Sequence, residues 1–262
     1  MKLKLYQVDA FTDKVFAGNP AAVCPLNEWI DDALMQNIAL ENNLAETAFI
    51  VKKDQGYEIR WFTPAVEVDL CGHATLAAAY VLFHFEQHQG NTIHFHSPRS
   101  GALEVTRKDD LLSLNFPADT LEKVEPLDEM LTGFDIAPQE AYKGRTDYLL
   151  LFGNEEEIMN LKPDMSIIAQ LNARGVIVTA KGKDVDFVSR FFAPQSGVNE
   201  DPVTGSAHTS LTPFWSAILG KKELTAKQLS PRGGTLYCRD LGTRVEISGK
   251  ARPYLVGEIT ID

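Results

Sequence analysis

The chain opens with apolar residues at Leu3, Leu5 and Val8 among polar neighbours, a period near two that predicts a strand. Asp31 and Asp32 then lead a run of good helix formers, and acidic residues suit the positive end of a helix, so a helix is predicted over 33–43. Two β-rich runs, 47–53 and 57–63, flank Asp54-Gln55-Gly56 and predict a hairpin. A loop over 64–71 feeds Gly72-His73 and an apolar helix over 74–84. Strands are expected at 92–96, 102–107 and 111–116, the last two joined by a turn at Lys108-Asp109-Asp110.

A boundary is expected at Phe116-Pro117-Ala118-Asp119, followed by an acidic connector holding Pro126 and Pro138. Beyond it the pattern of the first half returns: a helix over 165–172, strands at 175–180 and 185–193, a loop over 194–204, then Gly205-Ser206 and a helix to about 219. Further strands close the chain, with turns at Gly233-Gly234 and Leu241-Gly242. Phe62-Thr63-Pro64 lies ten residues before Gly72, and Phe192-Ala193-Pro194 thirteen before Gly205. Each copy runs strand, Phe-x-Pro, loop, glycine turn, helix. Two domains follow from this, 1–117 and 118–262, with the tail 256–262 free to return to the first. Unrelated strand–loop–helix crossovers would give a similar pattern, but the matching elements upstream of both copies favour duplication.

Composition narrows the function. The formal net charge of −11 disfavours nucleic acid and anionic membrane as partners. It leaves open a small anion, which responds to the local field of its site. Cys24, Cys71 and Cys238 are an odd set without CxxC spacing, so neither a disulfide framework nor a cysteine zinc site is expected. The first residues reach Asp9 without an apolar core of signal-peptide length, and the longest apolar stretch, 74–83, is too short for a membrane span. A cytoplasmic protein is expected.

A glycine at the mouth of a helix permits a tight turn and leaves backbone N–H groups facing outward, where they hold a carboxylate or an oxyanion. Gly72-His73 and Gly205-Ser206 both fit that description. Around them stand Phe16-Ala17-Gly18-Asn19-Pro20-Ala21-Ala22-Val23, Leu44-Ala45-Glu46-Thr47-Ala48-Phe49, Cys71-Gly72-His73-Ala74-Thr75 and Glu200-Asp201-Pro202-Val203-Thr204-Gly205-Ser206-Ala207-His208. These four motifs, in this order, resemble the PhzF-like (phenazine biosynthesis-like) isomerase family, related in fold to diaminopimelate epimerase. The resemblance implies an α+β protein of two pseudo-symmetric epimerase-like domains, each a β-barrel-like sheet wrapped around a central helix, with the active site between them. The apolar helices after Gly72 and Gly205 would be the two central helices, as a helix apolar nearly all round must be buried.

The resemblance also implies roles. Glu46 matches the acid/base that removes a proton from one carbon and returns one to another. A carboxyl at the edge of an apolar strand, partly withdrawn from water, suits that work; in isolation a glutamate there is an ordinary surface charge. Asp201 matches the family's second acidic residue, and His73 and Ser206 its polar companions. On residue type alone His73 and Ser206 could equally cap their helices and Asp201 could serve a turn. Gly72, Gly205 and Ser206 are expected to hold the substrate, and Glu46, Asp201 and His73 to carry the chemistry. Measured back from Phe62 and Phe192, sixteen residues separate Glu46 from one and Val176 from the other, so no second carboxylate is expected at the matching place. One proton-carrying residue suits an isomerase better than a two-base racemase. The related epimerase uses a cysteine from each half; Cys71 occupies one such position, but Thr204 occupies the other.

His84 and His88, and His94 and His96, have spacings that can bind zinc, but they form no HExxH motif and no cysteine joins them. Pro231-Arg232-Gly233-Gly234 lacks the spacing of a dinucleotide loop. No metal and no cofactor are expected. The expected function is a cofactor-independent isomerase moving a proton on a small, cyclic, unsaturated carboxylic acid, akin to the isomerisation of trans-2,3-dihydro-3-hydroxyanthranilate. An amino-acid epimerase or racemase and a non-catalytic binder of small carboxylates remain as alternatives. The family often forms homodimers, which the resemblance suggests for this chain.

Overall fold

A computed structural model describes residues 1–262. The chain divides into two compact units, one built of residues 1–115 with 248–262, the other of residues 116–247. The returning segment is therefore longer than the seven-residue tail considered from sequence.

In the first unit the order is β1 (Lys2–Ala10), β2 (Asn19–Leu26), α1 (Asp32–Asn42), β3 (Glu46–Lys53), β4 (Gly56–Phe62), a short β5 (Glu67–Val68), α2 (Gly72–His84), β6 (Thr92–Ser97), β7 (Gly101–Lys108) and β8 (Leu111–Pro117), which runs across the boundary. The second continues with β9 (Glu122–Val124), α3 (Asp128–Thr132), β10 (Glu140–Lys143), β11 (Asp147–Leu151), α4 (Glu155–Asn160), α5 (Met165–Ile168), β12 (Gly175–Lys181), β13 (Phe187–Phe192), α6 (His208–Leu219), β14 (Glu223–Gln228), β15 (Gly234–Asp240) and β16 (Arg244–Gly249). Last comes β17 (Ala251–Thr260), which pairs with β1.

The pairing in the two units is the same. Following β17–β1–β2–β3–β4–β6–β7 gives antiparallel, antiparallel, parallel, antiparallel, parallel and antiparallel contacts. Following β9–β10–β11–β12–β13–β14–β15 gives the identical series. Each parallel step needs a crossover, and the β4-to-β6 and β13-to-β14 steps are made by α2 and α6.

Side-chain parity separates the two faces of each sheet. In the first unit Phe49, Val51, Cys24 and Leu26 meet Met35, Ile38 and Ala39 of α1 on one face. The alternate residues of β2 and β3 face α2, which packs on β1, β2, β3, β7 and β17 and is buried along nearly its whole length, as an apolar helix wrapped by a sheet must be. In the second unit Val176, Val178 and Phe192 meet Met130, Ile158 and Ile168 from the short helices α3, α4 and α5, together with Phe134 just beyond α3. The opposite face carries Thr179, whose Oγ1 accepts a hydrogen bond from Trp215 Nε1 of α6 at 2.9 Å.

Several local choices explain the elements. The Asp31 carboxylate accepts from the Ala33 N–H at 2.9 Å and starts α1, and Asn43 ends it in the left-handed conformation. Sequence periodicity overlooks β2 because it contains Pro20 and Pro25. Pro20 lies where β2 pairs only with β1, and Pro25 where it pairs only with β3, so each missing donor is spared. The Pro-containing connector after residue 117 holds β9, α3, β10 and β11, and the helix expected over 165–172 is only Met165–Ile168. These elements are too short for a periodic signal.

An ion-pair clamp recurs at matching places. Arg60, two residues before Phe62, donates from Nε and Nη2 to the Glu67 carboxylate at 2.7 and 2.9 Å. Arg190, two before Phe192, does the same to Glu200 at 2.7 and 3.0 Å. The guanidinium carbons lie 5.2 and 4.9 Å from the two phenylalanine ring centroids. Each glutamate stands five residues before its glycine turn, so each clamp ties down the loop that delivers the turn. Bidentate geometry and partial burial make such pairs directional.

Candidate active site

Glu46 is the first residue of β3, with its side chain 18% exposed. Thr47 and Phe49 face the α1 side, so parity turns Glu46 toward α2. There it meets His73, the second residue of α2, with Nε2 3.1 Å from Glu46 Oε2. Both atoms are buried, lie off the line of a hydrogen bond and have no other hydrogen-bond partner in the structure. A buried carboxylate oxygen and ring nitrogen so loosely committed are unusual, and mark a place where a reacting group completes the set.

The other ring nitrogen, Nδ1, lies 3.3 Å from Asn19 Nδ2 and 3.4 Å from Cys71 Sγ. Asn19 sits on β2 with the parity of Ala21, which pairs with Glu46. Its approach follows from Gly18, whose positive φ (67°) brings the turn so close that a Cβ there would lie 2.1 Å from the Ala10 carbonyl oxygen. Cys71 occupies the N-cap position of α2 without capping it, and its carbonyl accepts from the Thr75 hydroxyl at 2.6 Å. His73 is therefore no cap; its ring bridges Glu46 to Asn19 and Cys71.

Burial pushes the pKa of Cys71 up, and the nearby Glu46 charge adds to this, so the thiol keeps its proton. Burial acts the other way on His73, lowering its pKa, while negative charge on Cys71 and on Glu46 raises it well above the ordinary histidine value. With the thiol protonated around neutral pH the Cys71 share is absent, and Glu46 is the neighbour that holds a proton on His73. Glu46, Cys71 and His73 also offer O, S and N donors within 4.8 Å of one another, a set that could ligate a metal ion. Glu46 meets one ring nitrogen and Cys71 the other, which suits a relay through the ring better than three donors closing on one ion.

The second unit holds the other sequence candidates. Asp201 Oδ2 accepts from Thr204 Oγ1 at 2.5 Å, and its backbone N–H donates to the Phe191 carbonyl at 3.1 Å. Gln228 locks this turn by donating from Nε2 to the Asp201 carbonyl at 2.7 Å and accepting the Thr204 N–H at 2.9 Å. The regular helix begins at His208, later than expected, because Gly205-Ser206-Ala207 form a tighter turn in which His208 N–H donates to Gly205 O at 3.0 Å. Ser206 does not cap α6. Its Oγ accepts from Arg174 Nη1 at 3.0 Å, and Arg174 is paired with the buried Asp147.

Register corrects one sequence inference. Phe62 pairs with Thr47, whereas Phe192 pairs with Val176, because the second hairpin is one residue longer. The partner of Glu46 in the repeat is Gly175, not Val176; Val176 faces the outer helices. A Cβ at Gly175 would stand 2.4 Å from the Phe191 ring, so no acidic side chain fits there. The conclusion that the second unit lacks a matching carboxylate stands on this different residue.

A family model described as phenazine biosynthesis-like protein matches residues 8–257. The chain belongs to the PhzF-like family. An uncharacterized isomerase of Pseudomonas aeruginosa is 52% identical to it over 259 residues, covering 99% of both chains. A crystal structure of a PhzF family protein from Enterococcus faecalis matches with a TM-score of 0.97 at 48% identity, covering 100% of both chains. A hydroxyproline epimerase from Agrobacterium vitis matches with a TM-score of 0.64 at 8% identity, covering 98% of this chain and 92% of the other, a likeness of fold alone. This PhzF-like protein is an isomerase with a two-domain epimerase-like fold.

In the PhzF-like chain, Asn19, Arg174 and Gln228 escaped sequence reasoning. Asn19 lay within a quoted motif, and the buried amide beside Gly18 was the available signal; Arg174 and Gln228 carry none outside the fold. The histidine pairs are engaged separately: His88 has Tyr57 on one ring nitrogen and the Thr92 carbonyl on the other, while His94 contacts Glu104. No helix is long and apolar enough to cross a membrane.

Proposed function

We propose that this isomerase is cofactor-independent and moves a proton on a small, cyclic, unsaturated carboxylic acid, with Glu46 as the proton carrier. The observation that supports this most is the half-buried Glu46 carboxylate against the buried His73 ring, in a chain whose repeat puts Gly175 where a second base would be. A C–H bond at one carbon breaks, its electron pair enters the conjugated system, and the proton passes to the carboxylate. The carboxyl then returns a proton to a second carbon as the π-bond shifts, so the product is an isomer of the substrate. His73, with Nε2 3.1 Å from the carboxylate, is proposed to turn an N–H onto it during the transfer. The backbone N–H groups at Gly72 are proposed to hold the substrate acid. For Asp201, Gly205 and Ser206 the proposal rests on the family motifs.

Incubation of candidate cyclic unsaturated acids in D2O tests the reading. Deuterium should enter the substrate carbon with the native chain and not with Glu46→Gln. Binding seen by calorimetry without incorporation would favour a carboxylate-binding protein instead. An amino-acid epimerase using thiols is disfavoured by the protonated Cys71 and by Thr204 at the matching position; activity lost in Cys71→Ser but retained in Glu46→Gln would revive it.

A further inference from the structure

The geometry points to Arg174 as a positioning residue of the second glycine turn: anchored on Asp147, it fixes the Ser206 hydroxyl as a hydrogen-bond donor to an acceptor oxygen of the substrate acid. This role rests on the reading of Ser206 as a substrate-holding residue, and not on that of Glu46. The two copies of the repeat differ at this point. In the first unit the residue that opens β3, Glu46, meets the residue after the glycine, His73. In the second, Gly175 stands in the place of Glu46, and the Phe191 ring fills the space a side chain there would need. Ser206, the residue after the glycine, is met instead by Arg174, one position before Gly175, with Nη1 3.0 Å from Oγ. A cation has taken over from a carboxylate at the matching end of the strand.

Arg174 is itself firmly held. Its Nε and Nη2 donate to the two oxygens of Asp147, the first at 2.9 Å, and Asp147 is buried where β11 pairs with β12. Its guanidinium carbon lies 5.3 Å from the centroid of the buried Phe191 ring, and its backbone N–H donates to the Thr146 carbonyl at 2.8 Å. A bidentate arginine lying over a ring keeps its remaining N–H groups in fixed directions, and Nη1 is the one left for Ser206. A serine hydroxyl has one proton and two lone pairs, whereas a guanidinium has donors only. With Nη1–H on a lone pair, the hydroxyl proton cannot turn back to Arg174, and Oγ donates to no other group of the chain. Ser206 is exposed, so this proton faces outward, beside a charge that arginine keeps throughout the working pH range. The Ser206 carbonyl is engaged separately, by the Thr209 hydroxyl at 2.7 Å. An outward O–H backed by a cation favours an anionic oxygen over a neutral one.

Two measurements on the full chain test this. In Ser206→Cys the new thiol should ionise about one unit below the ordinary cysteine value of about 8.5, because its thiolate gains the Arg174 N–H. The pH dependence of alkylation by iodoacetamide reads this value, since Cys24, Cys71 and Cys238 are buried. Adding Arg174→Met should return it to the ordinary value. Should that variant fail to fold with Asp147 unpaired, Arg174→Met with Asp147→Asn takes its place. Second, equilibrium dialysis should show benzoate, a cyclic carboxylate, binding the native chain more tightly than neutral benzamide. Arg174→Met and Ser206→Ala should each weaken benzoate about tenfold, and the double variant no further, since one residue acts through the other. Additive losses, or native binding that does not favour benzoate, would overturn the inference, as would a thiol pKa indifferent to Arg174. A thiol pKa that shifts as stated, with benzoate affinity unchanged in Ser206→Ala, would overturn the reading of Ser206 and this role with it.

Discussion

The two units have the same order and sense of strand pairing and the same arginine–glutamate clamp before the glycine turn, yet the turns present different chemistry. In the first, the residue after the glycine is His73, buried against Glu46. In the second it is Ser206, exposed and held by Arg174, while the position of Glu46 has become Gly175. Two residues further along the residue types differ again, on the same carbonyl position: three positions after the glycine, Thr75 donates its hydroxyl to the Cys71 carbonyl, and His208 uses Nδ1 on the Thr204 carbonyl at 2.8 Å. The parts that deliver the turn were retained, and the side chains the turn carries diverged. A duplicated frame constrains backbone paths through pairing and packing, but leaves the identity of the side chain at a helix start free to differ between the copies.

The largest effect should come from the catalytic side of that contrast. Glu46→Gln should lower deuterium incorporation by about 10²–10⁴-fold, the range expected for loss of a general acid/base. Ser206→Ala should lower it less, and equal losses would break the asymmetry between the units. The clamps come next. Arg190→Met strands a largely buried glutamate and should cost about 3–5 kcal/mol in urea unfolding, whereas Arg60→Met leaves Glu67 paired with Arg99 Nη2 at 2.8 Å and should cost less. Arg190 also donates to the carbonyls of Ile158 and Leu161, so its loss should be the greater of the two.

The third effect concerns pH. Burial lowers the pKa of His208 to about 4, whereas an unfolded histidine titrates near the ordinary 6.5. The unfolded chain therefore takes up the proton first. The contribution of neutral His208 is whole above about pH 6.5, and is lost as the pH falls toward 4, amounting to about 3 kcal/mol at most. Unfolding curves of His208→Gln between pH 7 and 4 should be correspondingly flatter than those of the native chain. The smallest effect should be Thr75→Val, about 1 kcal/mol with no pH dependence of its own, since a single neutral hydrogen bond is removed. A similar pH slope from Thr75→Val would show that the two positions are not distinguished by titration.

Much of this was legible beforehand because local physics wrote it plainly. The apolar run 74–83 could only be a buried helix, the hairpin around Asp54-Gln55-Gly56 had both its β-formers and its turn, and the repeat of Phe-x-Pro and glycine gave the duplication. Four motifs led to Glu46 and His73. The connector after residue 117 was unreadable because its elements run only three to six residues, too few for a period to register. β2 hid behind prolines whose harmlessness depends on which neighbour they lack.

The sequence by itself determined that there are two copies of one unit, that each carries a glycine turn into a helix, and which carboxylate to propose as the proton carrier. Only the tertiary structure decided that Glu46 and His73 meet, that Asn19 and Cys71 share the far side of the ring, and that the true counterpart of Glu46 is Gly175. The reason is that strand parity and register are set by pairing with other strands. One additional residue in a hairpin turns a side chain to the opposite face, and counting along the chain does not reveal it.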